Sequence, residues 1–274
     1  MEKLKLSYSK INTFLNCRMK YHWIYNERLY PKAKAYPLKL GIIVHRMLHL
    51  WQIDKLTKEH INNIVRDITN TYPETEPAEI QSLAFEATTL VRGYVEKYEE
   101  SDPLKVVSSE MILELEREDY VLYTRLDGIV RSQDDRLWRW EHKTTKQMNS
   151  AYLTGLKGGL QAGIAYIVVA NTLPEKVSGT VYNLLVKTKV PQYYRNFVTA
   201  ERLLVDRTEK CIAGVVKDIK QGDFYPSLAC YTYNSECPYL KLCQQDTPMT
   251  REAFFVKRED IPREEETLLK IEEE

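Results

Sequence analysis

Residues 119–146 read DYVLYTRLDGIVRSQDDRLWRWEHKTTK. Tyr120 to Arg131 is rich in Val, Leu, Ile and Tyr, and Leu137 to Thr144 is again apolar and aromatic. Ser132-Gln133-Asp134-Asp135 between them is a turn cluster, so the stretch predicts two strands and a tight turn. Among the charged residues that interrupt these strands are Asp127, Glu141 and Lys143. Glu141 and Lys143 are two apart, so in a strand both leave the same face. A carboxylate and an ammonium in an apolar strand are costly to bury unless they pair or bind something. With Asp127 on the neighbouring strand, the group offers two hard oxygen ligands for a divalent cation and a lysine beside them. That pattern suits metal-assisted cleavage of a phosphodiester. A solvated strand face with a cross-strand ion pair would look similar, but it fits poorly with Ile129, Trp138 and Trp140 close by.

The chain has 274 residues, enough for one large domain or two small ones with a sizeable core. The formal charge is zero, yet it is unevenly spread. Residues 1–40 carry nine Lys/Arg against two Glu, a net +7, and residues 259–274 carry eight Asp/Glu against two Lys/Arg, a net −6. The basic segment suits phosphates as well as it suits a solvated helix face. No apolar run looks long enough to span a membrane, and the N-terminus shows no signal-peptide pattern. Five cysteines without a secretory signal predict a reducing, cytoplasmic setting and a metal or cluster role.

From Ser7 to Leu29, Ile11, Phe14, Leu15, Met19 and Trp23 recur at helical spacing behind a Ser7 or Ser9 cap. Pro31 to Pro37 breaks that helix. A second helix is expected from Gly41 to about Asp54, with His45, His49 and Gln52 near one face. Taken alone, a histidine among aliphatics reads as a core or surface residue. Residues 58–70 and 77–100 predict two further helices, an insert spanning about 55–100 with no chemistry of its own. A strand is expected at 106–116, a helix from Ala151 to Leu173 carrying Gln161 and Tyr166, an alternating strand at Val177–Lys187, and an amphipathic helix at 199–220 containing Cys211. Glu110, on the first of these strands, is either an extra acid or a surface residue.

The segment 224–245 holds Cys230, Cys237 and Cys243 within fourteen residues. Three clustered thiols lack one ligand of four, and Cys17 is the natural fourth. Such a site would staple the N-terminal helix to the C-terminal loop across a very long loop. Zinc could use the same four thiolates, and spacing does not separate it from an iron–sulfur cubane.

LSYSKINTFLNCRMKYHWIY at the start, GIIVH at 41–45, RLDGIV at 125–130, WEHKTT at 140–145 and CPYLKLC at 237–243 occur in this order across nearly the whole chain. Together they resemble the RecB-like branch of the PD-(D/E)XK nucleases, most closely the iron–sulfur exonucleases of the CRISPR-associated and phage type. The resemblance implies an α/β fold: a small mixed sheet of about four strands flanked by helices, restriction-endonuclease-like. It would be a single domain over 1–250, followed by an acidic tail at 251–274. It also implies a [4Fe-4S] cluster on Cys17, Cys230, Cys237 and Cys243. Mg²⁺ or Mn²⁺ would be held by His45, Asp127, Glu141 and the carbonyl of His142, with Lys143 orienting the attacking water. Gln161 and Tyr166 would touch the phosphate or the metal shell, although they are five apart here against four in the family. A longer first cysteine gap points to a phage or free-standing relative.

The implied activity is a metal-dependent exonuclease on single-stranded DNA ends, with recombination, replication or CRISPR adaptation proteins as partners and no membrane. Two alternatives carry less of the pattern. One is a non-catalytic, cluster-bearing DNA-binding or assembly subunit. The other is a zinc-stabilised structural protein.

Overall fold

A computed structural model describes residues 3–257 apart from 33–35, 54–55, 72–74, 200 and 233–234. In chain order the elements are β1 (Leu4–Leu6), α1 (Tyr8–Asn16), α2 (Arg18–Tyr21), one π turn (His22–Asn26), β2 (Leu29–Pro31), α3 (Tyr36–Gln52), α4 (Lys58–Thr71) and α5 (Pro77–Tyr98). Then come β3 (Lys105–Glu116), β4 (Tyr120–Arg131), β5 (Leu137–Thr145), α6 (Ser150–Gly158), α7 (Leu160–Thr172), β6 (Val177–Val186) and β7 (Gln192–Thr199). The chain closes with α8 (Arg202–Gln221), β8 (Tyr231–Thr232), β9 (Ser235–Glu236), α9 (Leu240–Gln244), α10 (Pro248–Phe254) and β10 (Phe255–Lys257).

These elements fall into two compact units. The first gathers residues up to Ala33, Glu116–Leu122, and Arg207 onward. In it β1 runs parallel to the start of β4, Leu4 facing Tyr120, and β10 pairs antiparallel with β2. Ser7 caps α1, accepting from the Lys10 N–H, which satisfies one of the donors a helix start leaves open. Cys17 then adopts an extended conformation, so the single expected helix is split. A core of Trp23, Leu29, Tyr239, Leu242 and Phe255 joins the two ends of the chain within this unit. The tail expected from 251 onward instead begins with the end of α10 and with β10; residues 258–274 lie outside the described residues.

The second unit, Lys34–Leu115 and Tyr123–Asp206, carries the remaining sheet. β3 pairs with β4, β4 is antiparallel to β5, β5 is parallel to β6, and β6 is antiparallel to β7. The mixed α/β class is as expected, but with β1 the sheet has six strands among the described residues rather than about four; β1 and β7 are strands that the sequence did not single out. β6 was expected to alternate but is buried almost throughout. A central strand with a parallel neighbour is covered on both faces and need not alternate. On one side α7 packs Ala165 and Val169 against Leu126, Ile129, Leu137 and Val177. On β6, Asn183 is fully buried and accepts from the Tyr94 hydroxyl of α5 at 3.1 Å.

The expected helix 151–173 is two helices. Asn149 caps α6, and the chain turns extended at Gly159, where a Cβ would lie 2.6 Å from the Gly155 carbonyl oxygen. By length and composition Ser150–Thr172 could cross a membrane, which corrects the expectation that no run could. Burial against the sheet accounts for the apolar character of the α7 part, whereas no α6 residue is buried.

Candidate active site

The hairpin register aligns Gly128 with Trp140, which puts Asp127 at the level of Glu141. Gly128 has a steric reason: a Cβ there would stand 2.5 Å from the Ser108 carbonyl oxygen, so β3 can approach only a glycine. α3 brings His45 to the same place. His45 Nδ1 lies 3.0 Å from Asp127 Oδ1, and the His142 backbone N–H donates to Asp127 Oδ2 at 2.6 Å. Burial opposes ionisation of Asp127, but the His45 ring and the His142 backbone hold its carboxyl well below the usual range. Burial likewise opposes protonation of His45, and Asp127 more than offsets it, so the His45 pKa is raised.

Glu141 anchors the other half. Lys143 Nζ lies 2.6 Å from its Oε1 and Arg139 Nη1 3.2 Å from its Oε2. The Gln161 amide bridges the pair: Nε2 donates to Glu141 Oε1 at 3.1 Å and Oε1 accepts from Lys143 at 3.0 Å. Burial alone would lower the Lys143 pKa, but Glu141 and then Asp127 raise it, so the lysine is a cation.

The His142 side chain leaves the other face of β5. Its Nε2 accepts from the Trp140 indole at 2.7 Å and faces the Gln52 amide at 3.1 Å. Ser109 Oγ donates to Gln52 Oε1 at 2.6 Å and sits 2.8 Å from His49 Nδ1. Burial pushes the His142 pKa down to about 3, so the ring is neutral, and an accepting Nε2 leaves the proton on Nδ1. Among the described residues that buried Nδ1 has no hydrogen-bond partner. The ring stands edge-on to His45, centroids 6.1 Å apart, and within the field of Asp127, while the His142 backbone N–H bonds that carboxylate directly.

The structure thus joins Asp127, Glu141, Lys143, His45 and Gln161, all expected. Tyr166 is half-buried on α7 and makes no hydrogen bond to the group among the described residues. Five helical positions turn it about 140° from Gln161. Arg139, Ser109 and Tyr152 were not foreseen. Arg139 had a legible signal, since 139, 141 and 143 share one strand face. Tyr152 is held near Lys143 and Glu141 by α6, a contact no sequence spacing reveals. Glu110 is mostly buried, with φ at 32° and with Arg125, His49 and Asp127 among the charges it feels. Burial raises its pKa.

The donor chemistry fits a hard divalent cation: two carboxylates and an imidazole within each other's field. Among the described residues no three His, Cys, Asp or Glu side chains converge on one point. Glu141 is drawn onto Arg139 and Lys143, and Asp127 onto His45. The basic segment at 1–40 is partly spent on internal pairing: Lys3 with Glu116, Arg18 with Asp218, and Lys39 with Glu79. Lys34 lies outside the described residues.

In the first unit all five cysteines are free thiols. Burial raises the Cys243 pKa, and Cys17, Cys237 and Cys230 add to the rise, so the four thiols are neighbours. The buried Trp23 indole N–H is aimed at the Cys243 thiol and offsets part of that rise. An N–H donor aimed at a sulfur favours the thiolate over the thiol. Cys211 shares a cavity of about 390 Å³ with Cys17, Arg18 and Tyr225 and is not among the thiols that perturb Cys243.

The family model of the PD-(D/E)XK nuclease superfamily matches residues 5–244. The chain belongs to the PD-(D/E)XK nuclease superfamily. Among solved structures, a protein from Eubacterium rectale described as "Putative exonuclease" is similar to this nuclease. The two are 13% identical, 94% of this chain and 91% of that one are covered, and the TM-score is 0.53. At that identity the match speaks for the fold. The structure of SSO0001 is 12% identical over 82% of the nuclease and 80% of its own chain, with a TM-score of 0.39. A comparison with curated proteins found no match.

Proposed function

We propose that this nuclease is a Mg²⁺- or Mn²⁺-dependent deoxyribonuclease that degrades DNA from single-stranded ends in the cytoplasm. The observation that carries the metal-dependent part is the buried charge group: Asp127 with His45, and Glu141 with Lys143 through Gln161. The described neighbour's name supports the exonuclease part.

His45, Asp127 and Glu141 are the side chains that would hold the cation. When bound, it would activate water and neutralise charge developing on the phosphoryl oxygens. Asp127 is ionised throughout the neutral range, so it is always ready as a donor. Lys143, kept protonated by Glu141, donates to a phosphate oxygen or to the attacking water and fixes its approach. Gln161 holds Lys143 in place, because its amide binds both partners. Tyr152 borders the group from α6 and is a better placed phosphate contact than Tyr166.

We further propose a [4Fe-4S] cluster on Cys17, Cys230, Cys237 and Cys243, supported by the mutual proximity of the thiols and by the Trp23 N–H. Its role would be structural, binding the two chain ends of the first unit.

The deciding experiment digests end-labelled single- and double-stranded DNA with the metal-stripped protein, with and without Mn²⁺. Mn²⁺-dependent loss of label from single-stranded ends is expected, and its absence in Asp127→Ala. Activity undiminished after thorough chelation, or wild-type digestion by Asp127→Ala, would remove the reading.

A further inference from the structure

Arg139 is the most deeply placed cation of the group. Its side chain is 3% exposed, against 24% for Lys143. The two cations divide Glu141 between them: Arg139 takes Oε2 and Lys143 takes Oε1. They differ in how freely they can leave. Arg139 is tied on its far side to β6, where the register sets it beside Thr180 and sets Glu141 beside Tyr182. Its Nε donates to Thr180 Oγ1 at 3.0 Å, and Nη2 lies 3.4 Å from the Tyr182 hydroxyl. That hydroxyl donates in turn to the Leu156 carbonyl at 3.2 Å. A guanidinium is charged at every working pH and cannot shed its charge in place. Stranding it in the interior without Glu141 is strongly unfavourable. Lys143 rides a flexible stem at the more open side and can turn toward a phosphate. A cation approaching Glu141 therefore meets one oxygen that can be released and one that cannot.

How many carboxylate oxygens a ligand offers matters for ion choice. Mg²⁺ demands a near-octahedral shell and takes one oxygen from each carboxylate, whereas Ca²⁺ is larger and readily takes both. Resting on the metal-dependent reading above, we propose that Arg139 is a positioning residue. It keeps Glu141 Oε2 out of the cation's shell, so that Glu141 binds through Oε1 alone and the site favours Mg²⁺ or Mn²⁺ over Ca²⁺.

The test is calorimetric titration of the DNA-free, metal-stripped full chain with Mg²⁺, Mn²⁺ and Ca²⁺ separately. The readout is the ratio of Ca²⁺ to Mg²⁺ affinity, which does not depend on turnover. Arg139→Met keeps the side-chain length and removes the clamp. It should shift the ratio toward Ca²⁺ by about tenfold, the lower end of what lost outer-shell partners cost a metal site. Arg139→Lys should return the ratio toward wild type, because an ammonium still occupies Oε2. Thr180→Val loosens the clamp while keeping volume and charge, and should shift the ratio the same way by less. It decides the matter should Arg139→Met not fold. A folded Arg139→Met, or a Thr180→Val, with the wild-type ratio would overturn the proposal and leave Arg139 a structural cation. Wild-type protein that binds neither Mg²⁺ nor Mn²⁺ would instead overturn the metal-dependent reading itself, and this inference with it.

Discussion

Glu141 sits between two cations, and this changes what its removal does. Glu141→Gln should abolish cleavage, but it also leaves Arg139 without its counterion. Breaking a buried pair from one side costs about 3–5 kcal/mol, so a lower denaturation midpoint should accompany the lost activity. Lys143→Ala exposes a milder defect. It should slow cleavage on the order of 100-fold or more while leaving Mn²⁺ affinity near wild type, and a Mn²⁺ titration beside the rate assay separates the two effects. His142 makes a prediction of another kind. Its folded pKa is about 3 against an ordinary 6.5, so below pH 6.5 the unfolded chain takes up a proton that the folded chain refuses. In chelator, stability should fall as pH drops from 6.5 toward 3, and His142→Gln should flatten that slope. Equal slopes would mean the ring is not buried neutral. His45 acts with the opposite sign, since its raised pKa gives stability that is lost as pH rises through it.

The hairpin was the most legible element: β4 and β5 lie where the apolar runs and the Ser132–Asp135 turn cluster place them. Their carboxylates follow from strand alternation alone. α6 and α7 were less legible, because apolar content looks the same on both sides of Gly159 and only the backbone there marks the break. Gly128 shows how one element limits another. The obstacle facing an added Cβ is the Ser108 carbonyl oxygen, a backbone atom that cannot rotate aside. Gly128→Ala should therefore cost about 1–3 kcal/mol in stability, and should impair cleavage because Asp127 is the next residue. A thermal melt and the DNA digestion assay check both; an unshifted melt would mean β3 gives way easily.

Across the whole molecule, the first unit is built from segments far apart in sequence, and its thiols come from both ends. Cys17→Ser should remove iron from the anaerobically purified protein and destabilise it by several kcal/mol, since metal binding of this kind is coupled to folding. Cys211→Ser should do neither. Iron analysis, the visible spectrum and a melt decide between them. One zinc per chain in a colourless, active wild type would replace the cluster with a zinc site.

Sequence by itself determined the hairpin, the two carboxylates and lysine on it, and the order of motifs that marks the superfamily. Those are local matters: alternation places side chains on a face, and turn chemistry places a hairpin. Only the tertiary structure decided that Arg139 and Lys143 take different oxygens of Glu141. It also decided that the His142 ring is held by Trp140 and Gln52 rather than by Glu141, that Gln161 reaches the pair while Tyr166 does not, and that Tyr152 borders it. Each of these depends on a strand or helix arriving from elsewhere in the chain, and on what burial beside it does to a charge.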